Sequence, residues 1–258
     1  RVTIDNPCAD HRLRARFRLS GNPSSFVTDG PFDWIPRAAG DPAPVPSSQE
    51  LPVPTHPMNT MAIAPLKQAS FGLGGVGLRE VELDEGGNLS LTLLRCVGWL
   101  SRGDLPNRGR EAGPNLPTPG AQGIGVHGFD YAVAFQDPNV PVSEIHRTLE
   151  PMLFAPRVTT VTEPCIEDLP LLSVEPASVR LAAVKRAEHD GRLLIRLVGA
   201  DSGETVEATI KVYGSVRKAW RSDLDERRGE ELTPMGQGHD TRVMVPVPPR
   251  DVVTLALE

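Results

Sequence analysis

The chain has 258 residues, of which 39% are hydrophobic, with 24 glycines, 26 prolines and a formal net charge of −6. That length suffices to bury a sizeable core, and the Gly and Pro content favours many short elements joined by tight turns over long helices. The negative balance supplies no basic field for nucleic acid or an anionic membrane surface, and no run of about 18 apolar residues could form a membrane-spanning helix.

The sequence enters a strand-like run, Val2 to Ile4, directly after Arg1 and without a Met, so it is expected to be a piece of a longer protein. His11, Leu13, Ala15, Phe17 and Leu19 then alternate with Arg12, Arg14, Arg16 and Arg18. A period of two puts all four guanidinium groups on one sheet face, either paired across strands or offered to an acidic partner domain. Gly21 to Pro57 is rich in proline, with Phe26, Phe32, Trp34 and Ile35 as anchors, and Ala38 to Pro54 reads as an extended connection. Trp34 is a candidate sugar-stacking platform, because an aromatic face suits the C–H face of a pyranose; its alternative role is a packing anchor.

Gly72, Gly74 and Gly77 match the spacing of a dinucleotide-binding loop. That site needs a helix directly after the glycines, whereas here LREVELDEGGNLSLTLL reads as a β-hairpin turning at Asp84 to Gly87. The glycines are therefore expected to permit a bulge or a close backbone approach. Leu89, Leu91 and Leu93 alternate with Ser90, Thr92 and Leu94, and the run passes through Arg95 into Cys96 to Trp99 as one half-buried strand. Phe129, Tyr131, Val133 and Phe135 repeat the pattern as a second. Between them lies a long loop, residues 101–128, more charged than a simple connection requires, and such loops in compact domains are usually functional or disordered.

Ser143 is expected to cap a short helix ending at Pro151. Val179 to Glu188 and Arg192 to Val198 are joined by His189-Asp190-Gly191, a hairpin signal, and Val206 to Val212 follows to make a three-stranded meander. The charged segment Ser222 to Glu231 reads as exposed, and Val243 to Val247 and Val252 to Leu257 supply closing strands.

Several segments together resemble the C-terminal β-rich part of glycoside hydrolase family 38, the zinc-dependent α-mannosidases and mannosylglycerate hydrolases. They are DHRLRARF at Asp10 to Phe17, LLRCVGWLSRGDL with the later AGP, TPGAQ and HGFDY, the stretch from Leu171 to Ile210, and the closing PRDVVTLALE. The resemblance implies an all-β fold, a large twisted antiparallel β-sandwich of the galactose-mutarotase-like supersandwich type with one or two short helices. Residues 1–170 would form the main sandwich, and 171–258 a small appended sheet or part of the same sandwich. It implies a C-terminal accessory domain that packs on an N-terminal catalytic domain of the same polypeptide, which would carry the zinc and the nucleophilic aspartate and act on a mannoside. On that reading Arg102, Asp104, Arg108 and His127 are candidates for the domain interface or the active-site rim, since an Arg fork can hold a carboxylate bidentately; the alternative is that they pair with one another inside the loop.

Local chemistry agrees with a chain that is inactive alone. Six histidines have no zinc-ligand spacing, and no motif pairs Asp104, Glu111, Asp130, Glu163 or Asp168 as glycosidase carboxylates. No metal or other cofactor is expected in this chain. Cys8, Cys96 and Cys165 are far apart and fit reduced thiols, which with family habit points to the cytoplasm. The rival readings are an autonomous carbohydrate-binding module, with Trp34, Trp99, Tyr131 and Trp220 as stacking residues, and a structural or oligomerisation domain.

Overall fold

The computed structural model describes residues 1–258 except 41, 43–49, 155–159, 161–170, 200–202 and 237–239. Residues 41 and 43–49 of the Pro-rich connection, Glu163, Cys165, Asp168 and His239 lie outside the described residues. The chain divides into two compact units, one of Arg1–Gly30, Ile35–Pro141 and Thr148–Ala155, the other of Pro31–Trp34, Val142–Arg147 and Pro156–Glu258.

In chain order the first elements are β1 (Val2–Asn6), β2 (Arg12–Arg18), β3 (Ser25–Asp29), β4 (Trp34–Ala38), β5 (His56–Pro57), β6 (Met61–Pro65), β7 (Ser70–Gly75), β8 (Glu80–Leu83) and β9 (Asn88–Arg95). After the central loop come β10 (Gly125–Phe129), β11 (Tyr131–Gln136) and the helix α1 (Val142–Leu153). The remaining strands are β12 (Leu172–Glu175), β13 (Val179–Arg186), β14 (Leu193–Gly199), β15 (Val206–Tyr213), β16 (Ala219–Ser222), β17 (Arg228–Leu232), β18 (Asp240–Val247) and β19 (Val252–Leu257). The expected all-β, antiparallel sandwich is what forms, with α1 the one α-helix among the described residues.

In the first unit a four-stranded sheet, β2-β9-β8-β5, and a five-stranded sheet, β11-β7-β6-β3-β4, enclose one apolar seam. Alternation decides which residues meet there: Val81, Leu83, Leu89 and Leu91 come from one sheet, and Phe26, Ala62, Phe71 and Leu73 from the other. Phe17 joins them from β2, tilted against Phe71 with ring centroids 5.5 Å apart. Asp29, at the end of β3, is buried and accepts the backbone N–H groups of Asn59, Thr60 and Met61 at 2.8–2.9 Å, with the Thr60 hydroxyl at 2.5 Å. Its charge is tolerated in the interior because four donors replace water.

The Gly-rich motif is strand, not phosphate loop. A Cβ on Gly74 would lie 2.8 Å from Leu153 Cδ1, and one on Gly75 2.9 Å from Leu78 Cδ1, so both glycines permit a close approach to β7. The arginines of β2 are paired across strands: Arg14 donates to Glu82 at 2.6 Å and Arg16 to Asp84 at 2.9 Å.

In the second unit β12-β15-β18 faces β13-β14-β19-β16-β17 across a core that includes Ile195, Leu197, Ile210, Val243, Val245, Val253 and Leu255. The expected meander is corrected here. The hairpin β13–β14 forms through Gly191 at φ 73°, but β14 takes β19 as its other neighbour, and β15 pairs with β12 and β18 in the opposite sheet. Crossing between sheets lets both strands turn an apolar face to one core, which a flat meander could not do.

Three other expectations change. The Leu89 to Trp99 run stops pairing as a strand at Arg95, after a register shift opposite Leu13/Arg14. The Phe129 to Phe135 alternation splits at Asp130 into β10, paired with β1, and β11, paired with β7. The helix starts at Val142 with Pro141 at its cap position, so Ser143 lies inside it, and it runs past Pro151 to Leu153. A proline so close to the end removes little from the hydrogen-bond ladder. The segment Ser222 to Glu231 is not wholly exposed either: Glu226 is buried, and Lys185 at 2.7 Å holds its carboxyl below the ordinary value.

Candidate functional site

Where β9 ends, the chain leaves the sheet and borders a groove of about 860 Å³. The last ladder contact is Cys96 N–H to the His11 carbonyl at 2.8 Å, after which Val97 donates to Ala121 at 3.2 Å and Leu100 to Leu116 at 2.9 Å. These bonds stitch the two limbs of the central loop together. Trp99 pairs with Pro117 in an isolated bridge, and its side chain stays 43% exposed on the groove. Glu50, Val53, Pro54 and Thr55 line the same groove, and their segment is tied to the loop by Leu51 N–H to the Asn107 carbonyl at 2.8 Å. Arg12, Glu80 and Arg95 also line it.

Two of the four loop candidates line this groove, Arg102 and Arg108. Arg102 grips Asp104 bidentately, Nε to Oδ1 at 2.8 Å and Nη2 to Oδ2 at 2.6 Å. The hydrogen bond from Arg102 holds the Asp104 carboxyl below its usual value, against the opposing effect of burial and with the adjacent positive charge adding to it. Arg108 is the more enclosed of the two arginines and bonds Glu50 at 3.1 Å and the Arg110 carbonyl at 3.0 Å. His127 lies outside the groove lining, on β10, with Nε2 2.6 Å from the Gly123 carbonyl and its ring stacked on Phe129.

The tryptophans separate clearly. Trp34 is only 8% exposed, its ring edge-on to His146 at 5.2 Å, and Trp220 is 7% exposed beneath the Arg228 guanidinium at 4.4 Å. In this structure both rings are packed, with little face to offer a sugar, and Trp99 is the accessible one. Its position inside an apolar run, VGWL, gives no sequence sign of exposure.

Reading the sequence missed Arg12, Arg95 and Glu80 as neighbours. Arg12 and Arg95 sit directly opposite each other across β2 and β9, and Glu80 approaches both, 3.5 Å from Arg12 Nε and 4.0 Å from Arg95 Nη1. The signal available was the strand-end position of each arginine, which becomes informative only once the register is known. Among the described residues no three His, Cys, Asp or Glu side chains group so as to hold a metal. Cys8 and Cys96 are free thiols.

Residues 178–255 match the sequence profile of the glycosyl hydrolases family 38 C-terminal beta sandwich domain. The whole fold is similar to that of an alpha-mannosidase from Enterococcus faecalis V583, at 21% identity and a TM-score of 0.72, over 99% of this chain and 27% of that one. A family 38 glycosyl hydrolase protein from Enterococcus faecalis is similar at 20% identity and a TM-score of 0.69, again over 99% and 27%. The chain thus spans about a quarter of the length of these solved structures. No curated protein sequence matches it. The resemblance read from the sequence holds: residues 178–255 match the family 38 C-terminal beta sandwich domain, and the fold is similar along nearly its whole length to that of an alpha-mannosidase.

Proposed function

We propose that this chain is the C-terminal accessory domain of a zinc-dependent, retaining α-mannosidase-type hydrolase and does not hydrolyse glycosides by itself. The observation that carries this reading is the near-complete coverage of the chain by one quarter of an alpha-mannosidase, joined to the family 38 profile at residues 178–255. The zinc, the nucleophile and the acid/base group belong on this reading to a catalytic domain of the same polypeptide. The exposed apolar residues of the loop region, Leu51, Val53, Leu100, Leu105 and Leu116, support a packing surface for that domain. Arg102, Asp104 and Arg108, held in fixed ion pairs beside them, would shape the rim of its site on a mannoside. The free thiols support a reducing compartment, the cytoplasm.

Hydrolysis of p-nitrophenyl α-mannoside, measured with added zinc, tests the reading. The expected result is no turnover by this chain and turnover by the full-length gene product. In that product Arg102→Ala with Arg108→Ala should lower kcat/KM by about tenfold, the size of one lost positioning contact. Turnover by this chain alone would overturn the accessory role, and an unchanged kcat/KM in the double variant would remove the rim role.

A further inference from the structure

The charges around the groove are nearly all answered. Asp104 takes Arg102, Glu50 takes Arg108, Arg14 takes Glu82, and the Gln122 amide donates to Asp10 at 2.8 Å. Among the described residues the exception is the pair Arg12 and Arg95. Like charges directly opposite on an antiparallel pair repel, and here two guanidinium groups share the single carboxylate of Glu80, whose Oε1 also accepts the Thr92 hydroxyl at 2.7 Å. The Arg95 side chain is 61% exposed, so its fork is open to solvent. Trp99, the accessible tryptophan, lines the same groove.

We propose that the groove binds an anionic sugar-sized ligand, with Arg12 and Arg95 forking its carboxylate or phosphate and Trp99 covering an apolar face of its hydroxylated body. Two adjacent planar forks suit a two- or three-oxygen anion, and an anion between them relieves the repulsion that Glu80 answers only in part. A groove of about 860 Å³ is in the size range of small-molecule sites and has room for more than one sugar ring. This site goes beyond the accessory-domain reading; only the choice of mannose as the first sugar body rests on that reading.

The test is titration of this chain with mannose, mannuronic acid, mannose 6-phosphate, glucose 6-phosphate and inorganic phosphate. Calorimetry and tryptophan emission are read together, since Trp99 is the exposed one of three tryptophans. Mannuronic acid or mannose 6-phosphate should bind at least tenfold more tightly than mannose and perturb the emission, and which of the two leads identifies the anion. Arg95→Gln and Arg12→Gln should each remove that preference, with the melting temperature unchanged or raised because the like-charge pair is gone. Trp99→Phe should abolish the emission change and weaken binding severalfold. Equal affinity for the neutral and charged sugars, phosphate alone binding as tightly as the sugar phosphates, no binding at all, or full binding by both arginine variants would each overturn the proposal. A preference for glucose 6-phosphate over mannose 6-phosphate supports the anion site and counts against the mannoside reading, so the two failures are told apart.

Discussion

The core of the second unit and the loop region of the first use similar apolar residues for opposite ends. Ile195, Leu197, Val245 and Leu255 are fully buried between two sheets, whereas Leu100 is 62% exposed and Trp99 nearly half exposed. The first set is held by strand periodicity, in which every second side chain must point inward. The second is held by backbone bonds between loop limbs, which leave the side chains outside. Apolar residues left exposed beside one another offer a surface for contact.

Stability measurements can break or sharpen that contrast, and the largest effect is expected in the core. Leu255→Ala should cost about 2–5 kcal/mol in denaturant unfolding, because a fully buried leucine leaves a cavity that two sheets cannot close. A loss below about 1 kcal/mol would mean that the second seam is looser than its burial implies.

Next comes Asp29→Ala, which strips the carboxylate from the backbone donors of Thr60 and Met61 and from the Thr60 hydroxyl, while Asn59 N–H keeps the Asp29 carbonyl. The expected loss is about 3 kcal/mol, from the usual cost of leaving buried donors unmade. Asp29→Asn should recover part of it, since its carbonyl still accepts; no recovery would assign the effect to charge instead.

The smallest effect belongs to the loop. Leu100→Ser should change stability by no more than about 0.5 kcal/mol, as for other exposed substitutions. A larger loss would place Leu100 among the residues that hold its own unit together and would undo the contrast.

Much of the fold was legible because period-two alternation states which face of a strand is apolar. The β2 arginine ladder, the β8–β9 hairpin and the β13–β14 hairpin follow from such patterns and from turn residues such as Gly87 and Gly191, both at positive φ. The sheet to which β15 belongs was not legible, because β14 is buried on both faces and its alternation cannot name a neighbour. The end of β9 at Arg95 and the corner at Asp130 were hidden for a related reason, as apolar runs continue through both.

For the candidate site, the sequence nominated the loop and two of its arginines. It could not show that Arg102 is occupied by Asp104, that Trp34 and Trp220 are buried while Trp99 is open, or that Arg12 faces Arg95. What the sequence by itself determined about this chain is local: strand faces, turn positions, and segments similar in order to a known family. Only the tertiary structure decided which strands are neighbours, and with them which charges meet, because pairing between residues 83 positions apart depends on register, and register is a property of two strands together.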